Sequence, residues 1–322
     1  MLKDSDIEIS VVIPVFNSVE TLPNITTRLL KTFETMGVNA EIIFVDDGSQ
    51  KKETWPTLEY LAESHANVVS ISLMRNFGQH AATICGLKQA KGQYIITMDD
   101  DLQHQPEDIP LLFDKNEHDV VIGMFPLVKQ NLIKRFFSWI KGWFEVFIIG
   151  KPRGISVTSF KLINRNVVDG VLEIQTYSPI LGALLYYVTN DVVNVAVSHK
   201  ARKDGRSGYN LSKMLRLFSN LVITNSSLLL RCGGYIGLFT SLFSLIFSVI
   251  IVTRRLLGEE VIAGWTSTFA ATLFIGGLNL LLLGLVGEYL IRIVATAEKK
   301  PAFIIRKISA MVNSGKSKSK QN

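Results

Sequence analysis

The chain has 322 residues, a formal charge of +6 and 48% hydrophobic residues, with a mean hydropathy of +0.27. It is long enough for one large or two ordinary domains and too apolar for a purely soluble protein. A nucleic-acid-binding body is excluded: segment 291–322 holds eight Lys and Arg against Glu298 alone, leaving a near-neutral remainder with no basic stripe.

The polar opening MLKDSDIEIS runs straight into a strand pattern, so no signal peptide is expected and the front domain is expected in the cytoplasm. Cys85 and Cys232 lack metal spacing and read as two buried thiols of a reducing compartment.

Residues 9–15 (ISVVIPV) form an apolar run of the kind a strand buried on both faces carries. Residues 20–36 follow with a helical stripe of Leu22, Ile25, Leu29, Leu30 and Phe33. A strand is predicted over 41–45, ending in DDGS, then a helix over 54–65 and a strand over 68–73. The next helix, 79–90, stops at Lys91-Gly92. A strand over 93–98 ends in the triplet Asp99, Asp100, Asp101; a helix over 107–116 and a strand over 119–123 complete the series. The alternation predicts an α/β fold with a mostly parallel, Rossmann-like sheet, whose ligands bind outside the carboxyl ends of the strands. Phe16-Asn17, Asp46-Asp47-Gly48-Ser49, Arg75-Asn76 and the acidic triplet all fall at such ends.

Segment 129–149 mixes Phe136, Phe137, Trp139, Trp143, Phe144 and Phe147 with Lys134, Arg135 and Lys141, which reads as an amphipathic helix at a membrane interface. Apolar runs at 232–253 and 267–291 each approach the ~20 residues that cross a bilayer. The Lys and Arg bias places both ends of this hairpin in the cytoplasm. The expected organisation is a catalytic domain over 1–227, a two-helix transmembrane hairpin over 228–292 and a basic cytoplasmic tail over 293–322, suited to an anionic leaflet.

The triplet carries the chemistry. Alternate residues project the same way, so Asp99 and Asp101 are expected to face one point while Asp100 faces away as a spectator. Two such carboxylates invite a hard cation, Mg²⁺ or Mn²⁺, whose shell diphosphate oxygens complete, with Gln103 as a further oxygen ligand. At the second acidic strand end a carboxylate accepts hydrogen bonds from a base or ribose, and Gly48 allows close approach. A turn or helix cap explains Asp-x-Asp in isolation equally well.

Taken together, IPVFN, FVDDGS, RNFGQHAA, GLKQAKGQYIITMDDDLQHQP and RKDGRSGYNLSK, followed by two apolar helices, resemble family 2 glycosyltransferases that load sugars onto dolichyl or undecaprenyl phosphate. The resemblance spans about residues 9–292. It implies a glycosyltransferase A-type fold and a metal-dependent, inverting transfer from a nucleotide sugar, uridine being the first choice of base, to polyprenyl phosphate for envelope glycan or lipid modification. It further implies a bacterial inner-membrane enzyme and a homo-oligomer, a tetramer by analogy. Pro14, Phe16, Asp46, Asp47 and Asp99 would line the nucleotide; Asp99, Asp101 and Gln103 the metal; Arg202, Ser207, Tyr209 and Lys213 the phosphates. Ser18 stands where the family usually carries Glu. Ser159 stands where several relatives carry an Asp proposed for catalysis, and Gly208 replaces a usual Lys. Ser159 and Lys161 are assigned to the acceptor phosphate. Two alternatives remain open at this stage. A processive polysaccharide synthase of the same fold usually carries Gln-x-x-Arg-Trp, absent from this chain. A non-catalytic membrane scaffold would have no need of the retained acidic and basic motifs.

Overall fold

The computed structural model describes residues 7–125, 154–156, 158–174, 176, 179–198, 239, 253, 257, 264–297 and 301–310. The chain forms two compact units, one of residues 1–208 and 300–322, the other of residues 209–299.

The first unit is built on an eight-stranded sheet: β1 (Ile9–Val15), β2 (Ala40–Asp46), β3 (Val68–Leu73), β4 (Tyr94–Thr97), β5 (Val120–Met124), β6 (Lys161–Asn164), β7 (Val192–Ala196) and β8 (Ile305–Ala310). Their order across the sheet is β7-β5-β6-β4-β1-β2-β3-β8. β1 to β4 pair in parallel, and β6 runs against both β4 and β5.

Alternation decides the layers. On β1 and β2, Val11, Ile13, Ile42 and Phe44 join one core, and Val12, Ile43 and Val45 join the other. The first core takes helices α1 (Thr21–Met36), α2 (Thr54–Ser64) and α4 (Ile109–Phe113). The second takes α3 (Gln79–Gln89), α5 (Arg165–Glu173) and α6 (Leu181–Val188). Each fully buried aliphatic or aromatic side chain contributes about 1.5–3 kcal/mol. Cys85 lies in the second core, where burial pushes its thiol up to about 12 and leaves it unreactive; Cys232 lies outside the described residues.

The α/β expectation holds for the front half, with element ends within a few residues of those predicted. The expected helix over 107–116 is shorter, a 3-10 turn at Pro106–Asp108 followed by α4. The sequence reading missed β6, β7, α5 and α6.

The basic tail is corrected in part. Residues 305–310 are the edge strand β8, antiparallel to β3. Without β8, β3 would expose a row of unpaired backbone groups. The cations expected to face lipid are engaged here: Arg306 donates to the Met74 carbonyl at 2.7 Å, and Lys307 lies 4.2 Å from the Trp55 ring centre and 3.5 Å from Glu59.

In the second unit, α7 (Trp265–Ala297) covers the second predicted apolar run with 33 residues. Leu283, Leu290, Ile293 and Val294 on it are exposed. Among the described residues no helix is long and apolar enough to cross a membrane. The first predicted membrane helix falls almost wholly outside the described residues, as does the interface helix at 129–149.

Candidate functional site

The carboxyl ends of β1 to β4 share one rim, because all four strands point the same way. Pro14 and Val15 close β1, and Phe16 follows with its ring exposed. Asn17 turns the chain through a left-handed φ of 59°, a conformation Asn tolerates better than most residues. Its side chain accepts from the N–H groups of Gln50 and Lys51 at 2.8 and 3.1 Å, and its own N–H donates to Ser49 Oγ at 2.8 Å. The β1 loop and the DDGS loop thus hold each other.

Asp46 and Asp47 are both buried. Asp46 accepts from Ser49 N–H at 3.0 Å and from the Ser72 hydroxyl at 3.3 Å. Asp47 clamps the next loop, one oxygen accepting from Phe77 N–H at 2.7 Å and the other from Gly78 N–H at 2.9 Å. Burial raises the Asp47 pKa and those two N–H groups oppose the rise. A cavity of about 280 Å³ opens beside Asp46, lined also by Ser49, Ser72, Arg75 and, from β8, Arg306.

Gly48 sits between these loops with φ +65°, and a Cβ there would lie 2.5 Å from the Arg75 carbonyl carbon and 2.6 Å from Asn76 N. Neither backbone atom can yield without moving the loop that Asp47 holds. Gly48→Ala is expected to destabilise the protein by about 1–3 kcal/mol through the left-handed strain alone and to weaken nucleotide binding. Thermal melting and nucleotide titration check both; an unchanged melt removes this account of Gly48.

The acidic turn follows β4. Asp99 is held from both sides: Gln79 Nε2, in the first turn of α3, donates to one oxygen at 2.5 Å, and the Ser159 hydroxyl donates to the other. Its N–H donates to His104 Nδ1 at 3.2 Å. The His104 ring stacks between Phe125 and Phe160, with centroids 5.4 and 5.2 Å away. Asp101 accepts from Gln103 N–H at 3.1 Å. This local turn needs Leu102 at φ 61°, and Arg28 braces it: Arg28 binds Glu107 through two bonds and Gln105 at 2.6 Å, and Gln105 donates to the Leu102 carbonyl at 2.8 Å.

Asp100 turns away from its neighbours and into the protein, beside the Ser18 hydroxyl and the Phe16 N–H, which favour its charged form. Its Oδ2 is buried with no hydrogen-bond partner. Burial pushes its pKa up to about 6, against the pull of those two donors and with Asp99 and Asp101 adding to the rise. Ser18 therefore lies beside the acidic turn.

Lys161 opens β6, opposite Thr97 of β4. It is 5% exposed and donates to the Thr158 carbonyl. Burial lowers its pKa to about 8, with the charge of Asp99 opposing. The structure thus brings Asp99, Ser159 and Lys161 together, although 60 residues separate the first two. The missed contributors are Gln79, His104, Asp100, Ser18 and Arg28. Of these, only Gln79 and His104 carried a signal, as polar residues beside strand ends. Arg202, Ser207, Tyr209 and Lys213 lie outside the described residues.

The comparisons with known proteins bear on this rim. Residues 10–171 match the model of glycosyl transferase family 2. The chain is 31% identical over 319 residues to an undecaprenyl-phosphate 4-deoxy-4-formamido-L-arabinose transferase of Aeromonas hydrophila subsp. hydrophila, covering 95% of this chain and 96% of that protein. It is 29% identical over 309 residues to the protein of the same name from Pseudomonas fluorescens, covering 93% and 89%. Among solved structures it is similar to a glucosyl-3-phosphoglycerate synthase from Mycobacterium tuberculosis in complex with Mn²⁺ and UDP, at 17% identity and a TM-score of 0.47, covering 71% of this chain and 81% of that one. The family match takes in the rim from β1 through Lys161 and just over half of the chain, and the identity runs almost end to end. The chain belongs to glycosyl transferase family 2.

Proposed function

We propose that this glycosyltransferase moves a sugar from a nucleotide sugar, a UDP-sugar, to polyprenyl phosphate at the cytoplasmic face of a membrane. One observation carries the reading: the identity to transferases named for undecaprenyl phosphate extends through 95% of the chain, well past the family 2 match. The connectivity supports the membrane part. β8 pairs with β3 inside the first unit, so the chain rejoins that unit after residue 299. A two-helix hairpin crosses an even number of times, which accords with that return. The exposed Leu283, Leu290, Ile293 and Val294 of α7 are the surface a lipid phase would cover.

The donor set fits a cation that arrives with its substrate. Asp99 and Asp101 offer hard carboxylate oxygens, and Gln103 lies beside them. Among the described residues, no group of three or more His, Cys, Asp and Glu is placed to hold a metal. Mg²⁺ is commonly held in this way, by one or two carboxylates plus substrate phosphates. When bound, Mg²⁺ or Mn²⁺ supplies Lewis-acid stabilisation to the departing diphosphate.

The chain's own residues do the rest. Phe16 offers a stacking face for the base, and Pro14, Asp46 and Asp47 shape the rim around it. Gln79 and Ser159 hold Asp99 in one orientation, so no reorganisation is needed when charge develops. Lys161 is a buried cation whose charge Asp99 favours. The acceptor is a phosphate monoester with a second pKa of about 6, so it is mostly dianionic near neutral pH and needs no general base. Ser159, where relatives carry an Asp, is consistent with that: its place is to orient Asp99 and meet the acceptor phosphate. In-line attack on the anomeric carbon breaks the bond to the nucleotide diphosphate and inverts the configuration.

The test is a panel of radiolabelled nucleotide sugars given to the detergent-purified protein with undecaprenyl phosphate. Label that passes into the organic phase only when both substrates are present is the expected result. Long water-soluble polymer would favour the processive synthase, and no transfer with any sugar would favour the scaffold.

A further inference from the structure

The strand that closes the sheet edge also carries a cation to the rim. β8 pairs with β3 in a register that slips once: Ser72 faces Lys307 and Leu73 faces Ile305, which leaves Arg306 opposite no residue of β3. An extra residue of this kind bends its strand and re-aims a side chain. The effect shows on both sides of the slip. Ile305 packs with the second core, whereas Lys307 lies over Trp55, which packs against the first. On a regular strand two residues so spaced would share a face. Arg306, at the slip, lines the cavity of about 280 Å³ together with Asp46, Ser49, Ser72 and Arg75. β8 also holds the loop after β3. Met74 N–H donates to the Ile304 carbonyl at 2.9 Å, and the Met74 carbonyl accepts from Arg306 at 2.7 Å. A guanidinium has five N–H donors, so this bond leaves others to meet a ligand.

The cavity is polar and of mixed sign. Asp46 and Ser72 on its wall are 4% and 5% exposed. A carboxylate only accepts and a guanidinium only donates. A phosphate would satisfy Arg306 and repel Asp46. A neutral ring edge with an N–H beside a carbonyl oxygen satisfies both. The sheet says which end of the donor lies here. Across the rim the order runs β4, β1, β2, β3, β8. Neighbouring strands lie about 4.8 Å apart, so the ends of β2 and β3 stand roughly 10–14 Å from the acidic turn after β4. A nucleotide whose diphosphate meets a cation at Asp99 and Asp101 reaches the cavity with its base.

We propose that Arg306 is a specificity-determining residue of the donor site, donating to the C4 carbonyl oxygen of uracil while Asp46 accepts from the ring N3–H. The inference rests on the nucleotide-sugar reading above and names the residue that selects the base. The C4 oxygen lies on the side of the ring away from the ribose, and β8 is the strand farthest from the acidic turn on this side of the sheet. Cytosine has an amino group at C4 and a bare acceptor at N3. It sets donor against donor at Arg306 and acceptor against acceptor at Asp46, and a buried polar group left unpaired is what makes such a site selective.

The test measures binding of UDP and CDP to the full-length detergent-purified protein with Mn²⁺. The wild type is expected to prefer UDP. Arg306→Met is expected to weaken UDP by about 10-fold or more, the usual cost of losing a hydrogen bond to a charged group, and to leave CDP within about threefold, so the preference collapses. Equal weakening of both would mean that Arg306 only braces the Met74 loop, and overturns the proposal; so does an unchanged affinity for UDP, or a wild type without preference. 4-Thio-UDP reads the same contact from the ligand side, because it keeps N3–H and replaces the C4 oxygen with sulfur, a weaker acceptor. It is expected to bind the wild type severalfold more weakly than UDP, and to bind Arg306→Met as UDP does. Should the variant fail to fold, equal binding of UDP and 4-thio-UDP by the wild type overturns the proposal by itself. If the wild type binds no nucleoside diphosphate, the nucleotide-sugar reading fails first and takes this inference with it.

Discussion

Asp101→Asn is expected to lower turnover by roughly 10²–10³-fold, the usual loss when a group that stabilises transition-state charge is removed, while leaving the fold intact. The geometry makes this the clean substitution. Asp101 accepts a local bond from Gln103 N–H, and the carbonyl oxygen of Asn accepts the same bond. What disappears is the negative charge. Asp99→Asn is not equivalent. Asp99 accepts from Gln79 on one oxygen and Ser159 on the other, so an amide there turns its NH₂ toward one of those donors and disturbs the turn as well as the charge. The two variants therefore separate by thermal melting, with Asp99→Asn expected to melt earlier than Asp101→Asn. Sugar transfer at saturating Mn²⁺ measures the loss. Turnover within twofold of the wild type in Asp101→Asn would remove Asp101 from the cation site.

Lys161→Met should gain stability and lose activity, and the sign of the first effect follows from the pKa. The Lys161 pKa is lowered to about 8, chiefly by burial. The folded protein therefore carries a penalty for the charged ammonium, in full below about pH 8 and relieved as pH rises toward the ordinary lysine value of about 10.4. A shift of that size corresponds to about 3 kcal/mol at neutral pH, as an order of magnitude. Met fills a similar volume without a charge, so the variant is expected to be more stable than the wild type at pH 7. The wild type's rise in stability above pH 8 should flatten in the variant. Activity falls by about 10²-fold or more, because Asp99 loses its buried counter-charge and the phosphates lose a cation. Melting curves from pH 6 to 10 and transfer rates at pH 7 decide it. A variant that is less stable at pH 7, or equally active, contradicts the assignment. A charge kept at the expense of stability marks a functional site.

The reach of the sequence can be seen residue by residue. β1 and β2 were legible because continuous apolar runs report burial on both faces, and α1 because its stripe repeats with the helical period. The rim was legible for the same reason: once the strands are parallel, whatever follows them falls at one edge. Asp99 and Asp101 were placed at that edge in this way. Alternation also set Asp100 facing away, but it says which way a side chain leaves the chain and not what waits for it there. Ser18, which waits there, is 82 positions earlier in the sequence.

By itself, then, the sequence determined the α/β layering, the acidic rim and the family, since these rest on local periodicity and on short motifs. Only the tertiary structure decided which partners each acid has. β6 enters between β4 and β5 against their direction, and that insertion sets Ser159 on Asp99 and buries Lys161 below it. β8 returns from beyond α7 to close the edge of β3, turning Arg306 and Lys307 from tail charges into parts of the sheet. Both arrangements are pairings between distant segments. They are chosen by which backbone edge is left unpaired and which charge is left buried, quantities that exist only once the sheet has formed.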